Sequence, residues 1–385
     1  MFFKRTSGKV VLVADVEDTS VGVSIVQLSK NGSAAILISG RKSLSLEDRS
    51  ADQSASGVVR LLEESTDAAL KSYNTSEGKN IPPPHDVYAV LRAPWTRFRT
   101  VQAEEMYPEP RVVTKELLSS LAKKALAESS ELDRNNIIEA GTLQVFVNGY
   151  PTGNPLGKKG TRLSVVACEA DVNAEMKKNI TAVLGKLLPG RQPVFKSSMR
   201  AVLTVLHEHI PDIHRYVILD MGGSTTTCAV IRKDAISQLA VIPEGQGTLL
   251  KRITGGGHLE DMQTQLRMLA SDTCTTDACQ ALRDSLARAE PDLAKSFGEG
   301  FGLLATKRRL PNAAILSAPS DLLPWLQGFF ARIDFAQFTA TMQPFVIEPL
   351  SADHLHGVVE WVSGTPADTG ITIAVGYVNI IEQSS

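Results

Sequence analysis

The chain has 385 residues, of which 43% are hydrophobic and 21% are charged, and its formal net charge is -2. That length is sufficient for two or more domains, and the composition is typical of a folded globular protein rather than a disordered or fibrous one. The near-zero charge argues against nucleic acid as the main partner, because surfaces that bind nucleic acid are strongly basic.

The ends and cysteines of the chain indicate its compartment. The N-terminal stretch "MFFKRTSGKV" lacks the apolar core of a signal peptide, and no run of about eighteen apolar residues occurs. The sequence therefore predicts a cytoplasmic protein. Its four cysteines, Cys168, Cys228, Cys274 and Cys279, fit reduced thiols, and the last two do not have the spacing of a zinc or redox pair.

The first part of the chain predicts an α/β domain. "KVVLVADVEDTSVGVSIVQLS" predicts two β-strands joined by a polar turn at residues 17–20, because β-branched residues dominate both arms. "SAAILISGRKSL" predicts a third strand, and "ASGVVRLLEESTDAALKSY" has apolar residues at helical spacing. "DVYAVLRAP" then has the composition of a buried strand. Strands followed by a helix and another strand are typical of an α/β domain.

The character changes between about Trp95 and Asp171. "TKELLSSLAKKALAES" predicts an amphipathic helix capped by Thr114. The strand "TLQVFVNGYP", the loop "TGNPLGKKG" and the strand "TRLSVVACEA" follow. We expect a small α+β insertion here.

The second half begins like the first. "NAEMKKNITAVLGKLL" and "QPVFKSSMRAVLTVLHEHI" predict helices, and "VILDMGGSTTTCAVI" predicts two strands around a turn rich in glycine and hydroxyl groups. A strand in "AISQLAVIPEG", a helical span from about Leu259 to Phe301, a strand in "AAILSAP" and the closing segment "TGITIAVGYVNIIE" complete the chain. Each half thus opens with strand, polar turn and strand, which is a weak internal repeat.

The turns of these two hairpins carry groups that suit a phosphate. Asp15 precedes the hydroxyls of Thr19 and Ser20, and Asp220 precedes the turn "GGSTTT". Glycine lets a phosphate approach backbone N–H groups, hydroxyls donate to its oxygens, and an aspartate can hold Mg²⁺ through water. Two such turns facing each other would clamp a nucleoside triphosphate. The second turn alone favours an ordinary flexible hairpin, so the order of elements has to decide.

That order resembles the actin/Hsp70 superfamily, and within it the bacterial cell-division family FtsA. "ADVEDTSVGVSIV" and "LDMGGSTTTCAVI" are similar to its two phosphate hairpins, and "LQVFVNGYPTGNPLGKKGTRLSVV" to the FtsA insertion. The pilus-assembly family PilM shares this architecture. The resemblance implies an α/β, actin-like (ribonuclease H-like) two-lobed fold with a small α+β insertion subdomain. It divides the chain into the first lobe (1–98 and 177–212), the insertion (99–176) and the second lobe (213–385).

The resemblance also implies a site for ATP and Mg²⁺ between the hairpins. Its residues would be Asp15, Thr19, Ser20, Asp220, Gly222, Gly223, Ser224, Thr225 and Thr226, with Asp15 and Asp220 holding Mg²⁺ through water.

Several departures from the family weaken that site. Glu17 stands where the family has glycine, and Thr227 replaces a common acidic residue. The stretch "PVFKSSMRAVL" lacks the acid or amide that would orient a hydrolytic water. "SAP" at residues 317–319 replaces two adjacent glycines next to the adenosine. We expect weak or vestigial ATP binding with negligible hydrolysis, and we assign no catalytic residue.

Two roles follow from the resemblance. The FtsA family binds the C-terminal tail of the ring protein FtsZ and links it to the membrane. The chain is therefore predicted to be a cytoplasmic cell-division scaffold at the inner face of the cell membrane, self-associating through its insertion. It stops at "NIIEQSS", however, without that family's amphipathic membrane helix.

This departure favours the alternative, a PilM-like cytoplasmic adaptor of type IV pilus assembly that binds a peptide of a membrane protein. A kinase-like or ATPase enzyme of the same superfamily is a third possibility. The missing acid near Lys196 and the insertion motif disfavour it.

Overall fold

The computed structural model describes residues 8–45, 51–76, 83–127, 131–209, 214–232, 235–254, 259–271, 273, 277–352, 354–361 and 367–383. The first half contains, in chain order, β1 Val10–Val16, β2 Ser20–Gln27, β3 Ala34–Ser43, α1 Ala51–Ser76, β4 Asp86–Leu91, β5 Thr96–Val112, α2 Lys115–Leu126, a 3-10 turn at Arg134–Asn136, β6 Ile137–Val147, β7 Tyr150–Pro151, β8 Lys159–Val172, α3 Ala174–Leu187, β9 Pro193–Ser197 and α4 Ser198–His209.

The second half contains β10 Arg215–Met221, β11 Thr226–Arg232, β12 Ala235–Ile242, α5 Gln246–Thr254, α6 Leu259–Ala270, α7 Asp277–Ala305, β13 Ala313–Ser317, α8 Leu323–Arg332, a 3-10 turn at Ala336–Phe338, β14 Val346–Pro349, β15 Val359–Trp361 and α9 Thr369–Gln383.

The two large sheets have the same topology. The first has the order β15-β3-β2-β1-β4-β9 and the second has the order β12-β11-β10-β13-β14. In each, three antiparallel strands are followed by two parallel ones. The repeat that the sequence shows weakly is therefore a repeat of topology, with β15 added to the edge of the first sheet.

Two helices pack between the sheets and join the lobes. Side chains of α4 and α9 form one apolar cluster with residues of β1 and β4 from the first sheet and of β10 and β11 from the second. All residues from 370 to 379 in α9 are buried. A helix that is apolar on every side is stable only inside a core, so α9 fixes the relation of the lobes. Separate apolar clusters cover the outer faces of the sheets.

The insertion is a four-stranded antiparallel sheet with one helix on it. Its strand order is β5-β8-β6-β7, and α2 packs on β5 and β8. The helix begins where the sequence predicts, since the side chain of Thr114 accepts a hydrogen bond from the Leu117 N–H. Leu121 of α2 and Val165 of β8 are central to the small core between helix and sheet.

Three details differ from the sequence-based expectations. The first residues of the helix predicted in "QPVFKSS" form β9, because they pair with β4 in the middle of the lobe. The single helical span predicted from Leu259 is two helices, α6 and α7. Cys279 is disulfide-bonded, so the prediction of four reduced thiols is wrong for it, whereas Cys168 and Cys228 are free and buried.

No described helix is both long enough and apolar enough to cross a membrane.

Candidate functional site

The two hairpins that the sequence singles out meet directly at their turns. The backbone N–H of Gly223 donates to Oδ1 of Asp18 at 3.0 Å. A Cβ atom added to Gly223 would lie 2.1 Å from Cγ2 of Thr19. The Gly222 N–H donates to the carbonyl of Thr225 at 2.8 Å. Both glycine N–H groups predicted to hold phosphate therefore have partners within the protein.

The two aspartates predicted to hold Mg²⁺ are each paired with an arginine. Nη2 of Arg41, on β3, lies 2.5 Å from Oδ2 of Asp15. Nη1 of Arg92, directly after β4, lies 2.8 Å from Oδ1 of Asp220. Glu17 approaches both guanidinium groups, at 3.3 Å from Nε of Arg92 and 3.5 Å from Nη1 of Arg41. Thus the residue that departs from glycine in the first turn takes part in the network.

The network extends to the N-terminus of α9. Asp368 caps this helix by accepting a hydrogen bond from the N–H of Ile371 at 2.8 Å, and it accepts another from Nε of Arg41 at 2.6 Å. A Cβ atom at Gly370 would lie 2.3 Å from Oδ2 of Asp15. Only glycine therefore lets the first turn of α9 approach the aspartate this closely. The positive end of the helix dipole favours a carboxylate there.

Burial makes these charges depend on one another. Arg92 is 8% exposed and Asp15 is 1% exposed. Burial alone would lower the pKa of Arg92, but Asp220, Glu17 and Asp15 outweigh it and raise that pKa. Burial alone would also lower the pKa of Arg41, but the carboxylates around it outweigh burial and raise that pKa well above its ordinary value. Both guanidinium groups are thus permanently charged partners of the carboxylates.

The remaining predicted residues also lie at this cleft. The Ser20 hydroxyl donates to Glu17 at 3.0 Å, and Oγ1 of Thr226 donates to the carbonyl of Glu244 at 2.6 Å. Thr225 lines a smaller cavity of about 320 Å³ beside Arg92. Ser224 lines another, of about 210 Å³. The structure thus brings together all nine residues predicted from the sequence, and the polar groups of Asp15, Ser20, Asp220, Gly222, Gly223 and Thr226 make contacts within the protein.

Beside the network lies an open cavity of about 790 Å³, where an ATP molecule would have to sit. Residues 317–319 line its far side, as the family resemblance implies for the adenosine. The charged groups that line it are three carboxylates, Glu17, Asp321 and Asp368, and three guanidinium groups, Arg41, Arg92 and Arg267. The two aspartates and two glycine N–H groups that would hold Mg²⁺ and phosphate are already paired within the protein. As arranged, these hairpin residues do not fit Mg²⁺ with a nucleotide.

A second recess lies between the insertion and the first lobe. It has a volume of about 840 Å³ and is bounded by α2, by residues 140–145 of β6, by the loop 152–156 and by the end of α4 at His207 and Glu208. We call it the insertion groove. Its walls combine apolar side chains such as Leu118 and Leu143 with exposed lysines, Lys115 and Lys123, at the rim.

One wall of the insertion groove is a strand edge. β6 pairs with β8 along its length on one side, while on the other side β7 pairs only with Phe146 and Val147. Among the described strands, none pairs with residues 140–144 on the groove side. A strand edge without a neighbour can pair with an added strand, and this one carries a bulge at Leu143, between Thr142 and Gln144.

Glu139 holds this edge against the first lobe. It is 5% exposed and accepts the backbone N–H of Ser197 at 2.7 Å and the hydroxyl of Tyr377, on α9, at 2.5 Å. Lys196 and Arg200 lie 3.3 and 3.8 Å from its Oε1. Hydrogen bonds from β9 and α9 thus hold the residue next to the groove edge against the first lobe.

Sequence reasoning missed Asp18, Arg41, Arg92 and Asp368. An arginine within a strand as apolar as "AAILISGRKS" is a weak signal of a buried ion pair. Asp18 and Arg92 lie in loops at strand ends, where charged residues are common, and Asp368 signals only the cap of α9 and not its ion pair.

Comparisons with known proteins bear on the fold. No family model and no curated protein matches the chain. Among solved structures, it is similar to a PilM–PilN type IV pilus biogenesis complex, with 14% identity, a TM-score of 0.55, and coverage of 97% of this chain and 98% of that one. It is also similar to the ethanolamine utilization protein EutJ from Carboxydothermus hydrogenoformans, with 11% identity, a TM-score of 0.45, and coverage of 96% and 89%. A protein of actin-like ATPase fold from Bacteroides thetaiotaomicron matches with 11% identity, a TM-score of 0.31, and coverage of 69% and 80%.

At such identities these likenesses identify the fold alone, and membership of the FtsA family stays a prediction. The chain has the actin-like, two-lobed α/β fold with a small α+β insertion that its sequence predicts.

Proposed function

We propose that the chain is an adaptor that binds a short extended segment of another protein in the insertion groove. The observation that carries this proposal is the unpaired edge of β6 at residues 140–144, which forms one wall of a recess of about 840 Å³. An extended peptide adds a strand to such an edge through main-chain hydrogen bonds, and side-chain pockets beside the edge supply specificity.

The groove suits a segment that is partly apolar and partly acidic. Leu118 of α2 and Leu143 of β6 offer apolar contact on opposite walls. Lys115 and Lys123 stand at the rim and Glu208 at the far end, so the mouth is positive on balance. A residue in a strand spans about 3.3 Å, so residues 140–144 accommodate roughly five residues of a partner.

The partner we propose is a cytoplasmic segment of a membrane protein. Support comes from the likeness to PilM, which was solved together with PilN in a type IV pilus biogenesis complex. The chain would then work at the inner face of the membrane, reached through its partner. This adaptor role is favoured over the cell-division scaffold, for which FtsZ would be the partner, because the groove and the likeness both support it.

The test uses fluorescein-labelled peptides that cover the cytoplasmic segments of membrane proteins encoded beside this chain's gene. We expect one peptide to bind with micromolar affinity in fluorescence anisotropy. Ala140→Trp places a large ring on an exposed position of the groove edge and should weaken binding at least about tenfold, or ~1.4 kcal/mol.

The matched control is Met106→Trp, since Met106 is 72% exposed on β5 of the same sheet and does not line the groove. It should bind like the native chain. Binding that survives Ala140→Trp unchanged, or that Met106→Trp weakens equally, would contradict the proposed site.

A further inference from the structure

We propose that Arg41 and Arg92 act as a permanent replacement for a metal-bound nucleotide and hold the two hairpins of the cleft together without any ligand. Arg92 makes the ion pair that joins the two lobes. Its guanidinium starts from the end of β4 in the first lobe and reaches Asp220 on β10 in the second lobe, at 2.8 Å. It takes the bridging position that Mg²⁺ between the two aspartates would need.

A carboxylate of the protein takes the position of a phosphate oxygen. The Gly223 N–H, at the turn of the second hairpin, donates to Asp18 of the first hairpin at 3.0 Å. A hydrogen bond from a backbone N–H to a carboxylate is charge-assisted, like one to a phosphate. Thr19 packs directly on the same glycine. The contact that a phosphate would bridge in an open cleft is therefore made by the hairpins themselves.

Asp15 is buried, and its Oδ2 is already taken by an arginine. Arg41 contacts its Oδ2 at 2.5 Å, Nε of Arg92 lies 3.7 Å from its Oδ1, and Gly370 at the start of α9 lies against Oδ2. Arg41 is held in turn by Asp368, the cap of the same helix. A metal ion could reach Asp15 only by displacing a buried guanidinium, which would leave that charge without its partner.

The ion pairs of Arg41 and Arg92, which we call the arginine clamp, explain one departure from the family, the glutamate in the first turn. Glu17 is unfavourable beside a triphosphate, because both are negative, but it is favourable beside two guanidinium groups at 3.3 and 3.5 Å. Hairpins that are joined by the protein's own charges keep one angle between the lobes at all nucleotide concentrations. The consequence is a rigid molecule whose binding is not switched by ATP.

Two measurements on the full chain test the clamp. The first is calorimetric titration of the native chain with Mg²⁺-ATP and, separately, with ATP alone. We expect no binding heat into the millimolar range and no shift of the melting temperature. Saturable binding at or below millimolar Mg²⁺-ATP would overturn the proposal, whatever the variants do.

The second is amide hydrogen exchange of the turn that contains Gly223. Arg92→Gln removes the charge that crosses the lobes, and Asp18→Ala removes the acceptor of the Gly223 N–H. Asp18→Ala removes the hydrogen bond of the Gly223 N–H, and Arg92→Gln exposes that bond to water more often because the lobes are less firmly joined. Either variant should therefore speed exchange in this turn by about tenfold or more. Asp18→Ala keeps the test valid if Arg92→Gln does not fold.

Arg332→Gln is the control, because Arg332 pairs with Glu290 at 2.6 Å on the surface, away from the cleft. It should leave exchange in the turn unchanged. Exchange that Asp18→Ala does not accelerate, or that Arg332→Gln accelerates equally, would overturn the clamp.

Discussion

Glu139 is the side chain whose removal should loosen the insertion most. Its buried carboxylate accepts two hydrogen bonds, from the Ser197 N–H at 2.7 Å and from Tyr377 at 2.5 Å. Burial and Glu139 together raise the pKa of Tyr377, so its hydroxyl stays protonated and donates. A net contribution of about 1.5–3 kcal/mol for each hydrogen bond to a charged group gives roughly 3–6 kcal/mol for the two, and removing one partner of a buried ion pair costs roughly 3–5 kcal/mol.

Glu139→Ala should therefore lower the free energy of unfolding in urea by roughly 3–5 kcal/mol, because it also leaves Lys196 and Arg200 without their carboxylate. Glu139→Gln keeps the volume and one acceptor oxygen, and should cost about half as much. The exposed Glu348 on β14 provides the control, since Glu348→Ala should change stability by less than about 0.5 kcal/mol.

The same variants test the role of Glu139 in the groove. We expect Glu139→Gln to weaken binding of the partner segment although it lies outside the groove, because the contacts of β6 with β9, α9 and Arg200 of α4 are weakened. A loss of stability under about 1 kcal/mol for Glu139→Ala would refute the reasoning. So would a loss that Glu348→Ala matches.

Three further predictions concern pH, thiol chemistry and packing. Burial alone would raise the pKa values of Asp86 and Glu382, but hydrogen bonds from Lys9 outweigh it and lower them below their ordinary 3.8 and 4.5. The stabilisation by these two ion pairs is fully present above the ordinary pKa values and is lost as pH falls through the lowered pKa values. Lys9→Met should therefore reduce the fall in the free energy of unfolding in urea below about pH 4.5. Burial raises the pKa of Cys168 to about 11, so mass spectrometry should find it unmodified by iodoacetamide near neutral pH until the chain is unfolded. Gly376→Ala should destabilise the chain by about 1–3 kcal/mol, since its Cβ would lie 2.3 Å from Cγ1 of Val358; a neutral result would show that α9 has room there.

Much of the fold could be predicted because it depends on local patterns. The β-branched arms of β1, β2, β10 and β11 and the cap of α2 at Thr114 are signals within a few residues of each other, and the structure confirms them. The order of these elements was enough for the actin-like fold.

β5 escaped prediction for a physical reason. Its sequence "TRFRTVQAEEMYPEPRV" is mostly polar and largely exposed, so no apolar alternation marks it as a strand. It is a strand because the buried strand β8 pairs with it along nearly its whole length. Pairing of this kind comes from tertiary structure, which outweighs local propensity.

The candidate site could be predicted only in part for a related reason. The hairpin residues are recognisable from their turn chemistry. Their partners are not, since Arg92 and Asp220 are 128 positions apart and nothing in either neighbourhood indicates the other. Whether an aspartate in such a turn is available to a metal depends on these distant charges. The hairpins could therefore be located from the sequence, whereas the charges that pair with them are visible only in the structure.

The most direct test of the adaptor account is a hydrogen-exchange map of the full chain with and without the peptide that binds it. The account predicts slower exchange at residues 140–144 of β6 and along α2, with the turns of the two hairpins unchanged. Protection centred on the hairpin turns, with residues 140–144 unaffected, would contradict it.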